Sequence, residues 1–126
     1  MHVRTATPDE VPAVMNVLDG AVLSIDVETV RAGAEDGSTL IAVSGDNETD
    51  GRVLGALVLD GTHIEAVAVR RRRRGQGIGT ALVEAALDRR DRLTAEFDTD
   101  VQPFYEALGF DTDPLDEPDR YRGKRE

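Results

Sequence analysis

The stretch from Val67 to Leu82 combines residue types that could hold an anion. An apolar segment, Val67–Val69, leads into five arginines, Arg70–Arg74, and then into the glycines Gly75, Gly77 and Gly79, after which a helical pattern begins. A strand that ends in a glycine-rich loop at a helix N-terminus gathers backbone N–H groups and the positive end of the helix dipole. Because glycine lacks a Cβ, a ligand can approach this backbone closely. The stretch therefore predicts a site for a polyphosphate-bearing ligand.

Two common phosphate-binding loops do not match this stretch. The P-loop pattern G-x-x-x-x-G-K-[ST] needs a lysine, and this loop has none. The dinucleotide pattern G-x-G-x-x-G/A needs a small last residue, which is Thr80 when counted from Gly75 and Leu82 when counted from Gly77. The strand also follows a predicted hairpin, whereas the dinucleotide motif opens its βαβ unit.

The elements around the loop follow from hydrophobic periodicity. Predicted strands cover residues 3–5, 39–43, 52–59, 62–69, 93–97 and 121–124, with a further strand region starting at Phe110. Predicted helices begin at a Thr7–Glu10 capping box, near Ile25, at about Gly77 and at about Val101. Residues 111–119 hold two prolines and five acidic residues and are predicted to be a loop. This order predicts one α/β domain over residues 1–126, a mixed sheet with helices on its faces.

The amino-acid composition excludes several kinds of functional site. The chain has 126 residues and no cysteine, which excludes disulfides, thiolate metal sites and cysteine nucleophiles; no metal site is expected. Without a long apolar run or a signal peptide, we expect a cytoplasmic protein that does not enter a membrane. The net charge is −10, from 25 acidic and 15 basic residues, and Lys124 is the lone lysine. Such a surface suggests adaptation to high salt; a GC-rich genome would explain the arginines but not the excess of acids.

The arginine run has three interpretations. It could clamp phosphate groups, because guanidinium presents a fork of N–H donors. It could bind nucleic acid, although a net charge of −10 disfavours general nucleic-acid binding. It could also be plain solvated surface. We expect Arg74 to support the loop and one or two of Arg70 to Arg73 to reach the ligand's phosphates.

Two motifs together resemble a known family. Arg74–Gly79, R-G-Q-G-I-G, is similar to the R/Q-x-x-G-x-G/A signature of the GNAT N-acetyltransferase superfamily. Ile64–Val69 resembles the central fourth strand of that family, and Pro103–Phe110, P-F-Y-E-A-L-G-F, resembles the motif after its fifth strand. The opening Val3–Glu10 also resembles the family's start, so the similarity covers nearly the whole chain in the right order. The resemblance implies a GNAT-like fold and transfer of an acetyl group from acetyl-CoA to a primary amine.

The resemblance also implies which residues hold acetyl-CoA. The family binds the pyrophosphate with loop N–H groups, and the pantetheine arm pairs like an extra strand with the fourth strand, where strands four and five splay apart. The corresponding cofactor-binding residues here are Val67, Val69, Arg74, Gly75, Gln76, Gly77, Ile78, Gly79 and Thr80.

Tyr105 and Glu65 are the candidate catalytic residues. Tyr105, in the second motif, would be the general acid that protonates the leaving thiolate; the alternative is a core aromatic residue between Phe104 and Phe110. Glu65 is a charge in a strand that otherwise looks buried, and it could deprotonate the acceptor ammonium directly or through water. His63 is the other candidate base, because simple alternation places it on the same face. Both could instead be surface groups.

The acceptor and the assembly are less defined by the sequence. We expect residues 19–31, the ends of strands four and five and the C-terminal loop to build the site of the acceptor, a small-molecule or peptide amine. Asp26 and Glu28 would suit a cation. A non-catalytic acyl-CoA-binding or regulatory module on the same fold is an alternative function. A homodimer through an edge strand is compatible with a small sheet of this kind.

Overall fold

The computed structural model describes residues 1–20, 25–44 and 52–126. The strands are β1 (His2–Thr5), β2 (Thr39–Val43), β3 (Val53–Asp60), β4 (His63–Val69), β5 (Leu93–Asp98), β6 (Asp111–Pro114) and β7 (Arg120–Arg125). The α-helices are α1 (Val11–Gly20), α2 (Val27–Asp36), α3 (Ile78–Arg89) and α4 (Gln102–Ala107). Most of the predicted loop before β3 and residues 21–24 of the predicted acceptor region lie outside the described residues.

Within the described ranges, the strands form one seven-stranded mixed sheet in the order β1-β2-β3-β4-β5-β7-β6. β4 and β5 run parallel, and every other neighbouring pair is antiparallel. The predicted turn between β3 and β4 is present, with Gly61 at φ +60°. The predicted α/β fold with a mixed sheet is confirmed.

Helices cover the sheet on two faces, and each face has its own core. On one face, α1 and α2 contribute side chains such as Val14, Leu18 and Val30, which pack on sheet residues including Val58 and Ala66. The other core holds the α3 and α4 side chains with the opposite faces of the same strands; its members include Leu40, Leu57, Ile64, Ile78, Leu82, Val83, Phe97, Tyr105 and Phe110. β4 therefore has a packed layer on either side, as its apolar sequence predicts.

The start of α1 is fixed by an ion pair. Pro8–Glu10 form a 3-10 turn, so α1 begins at Val11, slightly later than the predicted start at Pro8. Glu10 accepts a hydrogen bond from the backbone N–H of Thr7 at 2.9 Å, as a capping box requires. Both Glu10 carboxylate oxygens accept from the Arg4 guanidinium at 2.7 Å. Chiefly because of this bond to Arg4, the pKa of Glu10 is lowered to about 2.

Residues 111–114 form a strand, β6, where the sequence predicts a loop. β6 is an edge strand that pairs antiparallel with β7, with Asp111 opposite Lys124 and Pro114 opposite Tyr121. Three of its four side chains are exposed, so the strand shows no apolar alternation. A proline is tolerated on an edge strand, because its missing N–H faces no neighbour there. The loop prediction was wrong for residues 111–114, because backbone pairing alone defines this strand, and it is confirmed for residues 115–119.

No helix in the described ranges has the length and apolarity that a membrane span needs.

Candidate active site

A cleft opens between β4 and β5. The two strands pair only where His63 lies opposite Thr94 and Ile64 lies opposite Ala95. Beyond these residues β4 continues to Val69 without pairing to β5, and the gap is a cleft of about 640 Å³. Because a sheet interrupted in this way exposes backbone hydrogen-bonding groups, the cleft can accept an extended ligand as an added strand.

The edge of β4 that faces this cleft presents the groups of Val67 and Val69. Arg70 donates its backbone N–H to the carbonyl of Leu54 at 2.8 Å, and the bonds of an antiparallel ladder alternate along a strand. The N–H and C=O groups of Val67 and Val69 therefore point away from β3 and toward the cleft. The Val69 carbonyl accepts from Nε of Arg74 at 3.2 Å, which ties the start of the loop to β4.

The glycine loop closes one end of the cleft. Gly75 and Gly77 have φ values of +78° and +82°, a left-handed conformation that suits glycine. Gly77 is the N-cap of α3 and has no side chain that could cap this helix end, so the first N–H groups of α3 are available to a ligand. Of the predicted binding residues, Val67, Val69, Arg74, Gly75, Gly77, Ile78, Gly79 and Thr80 line the cleft. Gln76 is exposed outside that lining.

The five arginines have different surroundings. Arg70 donates through Nε to the carbonyl of Val53 at 2.6 Å, so its guanidinium braces β3. Arg71–Arg73 form a 3-10 turn with exposed side chains. Arg73 and Arg74 line the cleft, which places two positive charges beside the open end of α3. These two are the arginines in position to meet phosphate groups.

Gly55 holds α3 close to the sheet. A Cβ on Gly55, in β3, would lie 2.9 Å from the carbonyl oxygen of Ala68, 3.1 Å from Cγ2 of Ile78 and 3.2 Å from Cδ1 of Leu82. These distances are too short for a side chain, so the glycine sets how closely the first turns of α3 approach β3 and β4. The sequence carries no sign of this role, because a glycine inside an apolar strand has several explanations.

Tyr105 stands in the cleft wall among aromatic rings. It is 6% exposed, and its ring stacks on Phe97 with a centroid distance of 4.3 Å and an interplanar angle of 16°. The edges of Phe104 and Phe110 meet it at centroid distances of 5.1 Å and 5.2 Å. This burial raises the pKa of Tyr105 to about 12, so its hydroxyl keeps its proton at neutral pH. Tyr105 is thus both a core aromatic residue and a cleft residue.

Glu65 lies at a bulge in β4. Val58 pairs with Ala66 and Leu59 with Ile64, so Glu65 is left without a partner on β3. Its side chain is exposed and lines the cleft, whereas Ile64 and Ala66 are buried. Of the two alternatives that the sequence left open for Glu65, a carboxylate in a buried strand and a surface group, the second is correct, because the bulge takes Glu65 out of the alternation that buries its neighbours.

The bulge also separates Glu65 from His63. Simple alternation put the two residues on one face, but the extra residue interrupts that alternation. The Nδ1 atom of His63 lies 2.9 Å from the Thr94 hydroxyl oxygen, at the first of the two residue pairs that join β4 to β5 and one pair farther from the cleft than Ile64. His63 is not among the residues that line the cleft.

A second cavity, of about 510 Å³, lies between α2 and the turn that joins β3 to β4. Asp26, Asp36 and Asp60 contribute to its lining, together with apolar residues such as Ile25 and Leu59. Glu65 lines both this cavity and the cleft.

Sequence reasoning missed several cleft residues from β5 and β7. Glu96 and Asp98 of β5 line the cleft with Arg120 of β7, whose guanidinium donates to Asp98 at 2.8 Å. These residues belong to the wall opposite β4, and only the pairing of β5 with β7 brings Arg120 beside the cleft. No local pattern in the acid-rich C-terminal segment marks it.

The comparisons with known proteins agree with this geometry. A family model described as the acetyltransferase (GNAT) domain matches residues 35–112. A search of curated proteins finds no match.

Solved structures show the same fold. Rv2747 from Mycobacterium tuberculosis, solved in complex with CoA and NLQ, is 26% identical, with 90% of this chain and 74% of that chain covered and a TM-score of 0.73. A GNAT-family acetyltransferase from Bacillus cereus is 19% identical over 99% of this chain and 96% of that chain, with a TM-score of 0.79. Ribosomal-protein-alanine N-acetyltransferase from Brucella melitensis is 20% identical over 99% of each chain, with a TM-score of 0.72. The chain belongs to the GNAT acetyltransferase family.

Proposed function

We propose that this protein is an N-acetyltransferase that moves an acetyl group from acetyl-CoA to a primary amine by direct attack within a ternary complex. The observation that carries the proposal is the cleft between β4 and β5. Its lining combines the unpaired edge of β4, the uncapped N-terminus of α3 and the buried phenol of Tyr105. The family match supports acetyl transfer, and the Rv2747 structure supports CoA as the carrier.

The residues of the cleft fit acetyl-CoA in two ways. Val67 and Val69 offer backbone groups that can bind the amides of the pantetheine arm as a neighbouring strand would. The loop N–H groups of residues 75–80, with Arg73 and Arg74 beside them, can bind the pyrophosphate. The positive φ values of Gly75 and Gly77 shape that cradle without a Cβ in the way.

Two side chains would handle the protons of the reaction. Acetyl-CoA supplies the acetyl group as a thioester. Glu65 takes a proton from the acceptor ammonium, directly or through a water molecule, which frees the nitrogen lone pair to attack. The new C–N bond forms as the C–S bond breaks, and Tyr105 donates its hydroxyl hydrogen to the departing sulfur. The nitrogen then loses its second proton, which restores the Tyr105 hydroxyl group through water, and the proton held by Glu65 passes to solvent. The products are the acetylated amine and free CoA.

The raised pKa of Tyr105 limits how readily its hydroxyl group can give up a proton. Full transfer from a phenol of pKa about 12 to a thiolate whose thiol has a pKa of ~8.5 is uphill by roughly 5 kcal/mol. Tyr105 therefore acts mainly as a hydrogen-bond donor that stabilises the developing charge on sulfur, and full transfer of its proton is coupled to the return of a proton from the acceptor nitrogen to the phenolate.

The acceptor would reach Glu65 from the second cavity. Because Glu65 lines both spaces, an amine held beside α2 can direct its nitrogen into the cleft. The carboxylates of Asp26, Asp36 and Asp60 would favour an acceptor that carries a second positive charge. A diamine should therefore have a lower KM than the monoamine of equal length; equal KM values would argue against this route.

Calorimetry and a thiol assay test the proposal together. Acetyl-CoA should bind with one site per chain in high-salt buffer, and an amine panel should release free CoA. Because the protein has no cysteine, thiol detection has no background from the enzyme. Absence of binding at millimolar acetyl-CoA would refute the proposal. Binding without turnover across mono-, di- and peptide amines would favour the non-catalytic acyl-CoA-binding module.

A further inference from the structure

The aromatic rings that hold Tyr105 rest on a glycine in β7. Phe97 stacks on one face of Tyr105, and Phe110 meets it edge-on. Gly123 is buried beneath both of these rings. A Cβ on Gly123 would lie 2.8 Å from Cε1 of Phe97, and 3.3 Å from both Cζ of Phe97 and Cδ2 of Phe110. The two rings thus occupy the space that any side chain at this position would need.

The register of the sheet explains the contact. Phe97 of β5 lies opposite Tyr121 of β7, and Ala95 lies opposite Gly123. The Phe97 ring therefore lies diagonally across β7 over Gly123, not over its direct partner. The planes of the Phe97 and Tyr105 rings are nearly parallel, with an interplanar angle of 16°.

We infer that Gly123 is a positioning residue for the reaction: by leaving room for Phe97, it fixes where the hydroxyl group of Tyr105 stands in the cleft. Gly123 is not among the residues that line the cleft, so it acts through Phe97 and not by touching a substrate. The inference rests on the proposed function in one respect, the role of Tyr105 in acetyl transfer.

The packing leaves Phe97 little freedom to absorb a methyl group. Ordinary contact needs about 3.4 Å, so the ring must retreat by roughly 0.6 Å from a Cβ that would lie at 2.8 Å. Tyr105 already stacks on Phe97 at a centroid distance of 4.3 Å. The displacement passes to Tyr105 and moves its hydroxyl toward the water of the cleft. A shift of this size at a reacting group lowers rates by up to about 100-fold.

The first test measures the ionisation of the Tyr105 hydroxyl group, which depends on how that group is packed, and it needs no substrate. The chain has two tyrosines and no tryptophan, so in a Tyr121→Phe background the absorbance rise at 295 nm reports Tyr105 alone. At pH 11, with folding checked by circular dichroism, a phenol of pKa about 12 is roughly one-tenth ionised. Adding Gly123→Ala should raise that fraction at least threefold, because the displaced phenol is better hydrated. An unchanged titration would overturn the inference.

The second test uses kinetics and a double-mutant cycle. Gly123→Ala should lower kcat by about 10- to 100-fold and change the KM for acetyl-CoA by less than about threefold. In a Phe97→Leu background, the same substitution should lower kcat by less than about threefold, because the ring that transmits the shift is gone. Equal losses of kcat in both backgrounds would show that Gly123 does not act through Phe97.

Two further variants keep the test decisive. Val14→Ala, in the core on the other side of the sheet, destabilises the fold without touching this ring cluster, so the 295 nm titration should not change. A titration that shifts in Val14→Ala as it does in Gly123→Ala would mean that destabilisation alone explains the effect.

If Gly123→Ala does not fold, Phe97→Leu should itself raise the ionised fraction at pH 11, and no rise would overturn the inference. A wild-type protein without turnover would refute the proposed function, yet the titration would still test Gly123.

Discussion

The ion pair between Arg4 and Glu10 should make the fold sensitive to acid in a defined pH range. Two hydrogen bonds of 2.7 Å join the side chains, which are 17% and 20% exposed. The folded state lowers the pKa of Glu10 from 4.5 to about 2. A lowered pKa means that the unfolded chain binds the proton more tightly, so the stabilisation is complete above pH 4.5 and disappears as the pH falls toward 2.

The size of the effect follows from the shift in pKa. A difference of about 2.5 units corresponds to at most about 3.4 kcal/mol, and we expect about 2–3 kcal/mol because the pair is partly solvated. Glu10→Gln removes the charge and keeps an oxygen that can accept from Thr7. At pH 6 the variant should lose about 2–3 kcal/mol of unfolding free energy. Near pH 2 the difference from the wild type should fall below about 1 kcal/mol, because protonated Glu10 also lacks the charge.

Urea denaturation at fixed salt, repeated between pH 2 and pH 6, measures this difference. The control is Glu28→Gln, which breaks the exposed pair with Arg31 and should cost less than about 0.5 kcal/mol at pH 6. If Glu10→Gln loses the same free energy at pH 6 and at pH 2.5, the stabilisation does not come from the charge. A loss at pH 6 no larger than that of Glu28→Gln would also contradict the reasoning.

Three other predictions address the cleft. Tyr105→Phe should lower kcat by about 10²- to 10⁴-fold while the calorimetric Kd for acetyl-CoA stays within about twofold; unchanged turnover would reject Tyr105 as the acid. Gly55→Ala should lower the unfolding free energy by about 1–3 kcal/mol, because its Cβ would meet Ile78 and Leu82 at 3.1 Å and 3.2 Å, and should raise the Kd for acetyl-CoA. Unperturbed values in thermal unfolding and calorimetry would show that α3 does not depend on this close contact. Acetyl-CoA should slow hydrogen exchange at the Val67 amide at least about tenfold by NMR, and equal rates with and without it would exclude strand-like pairing there.

Much of the fold follows from local sequence patterns. The strands from residue 39 to residue 69 have long apolar stretches, and the glycine loop with the helix after it has a strong local signature. The start at Thr7–Glu10 was predictable because the capping box is a short-range motif. Such elements are specified by residues within a few positions of one another, so a single sequence reveals them.

The features that sequence analysis missed depend on pairing between distant residues. β6 has polar, proline-containing residues, and only its ladder with β7 makes it a strand. The exposure of Glu65 comes from a register shift between β3 and β4, which has no side-chain signature. The space that a side chain at Gly123 would need is filled, because Phe97 leans across from the neighbouring strand. Local propensity contains none of this information.

The short pairing between β4 and β5 makes the sheet mechanically two plates with one narrow joint. β1 to β4 form one plate and β5 to β7 the other, and the joint consists of two residue pairs, with the contact between His63 and Thr94 at its end. When one plate twists against the other, the distortion is concentrated at this joint, because the longer antiparallel ladders within each plate are much stiffer. A ligand bound along β4 would connect the two plates beside the joint. We therefore expect the protein with its ligand to be more rigid than the empty protein, and we expect the empty protein to bend at the joint.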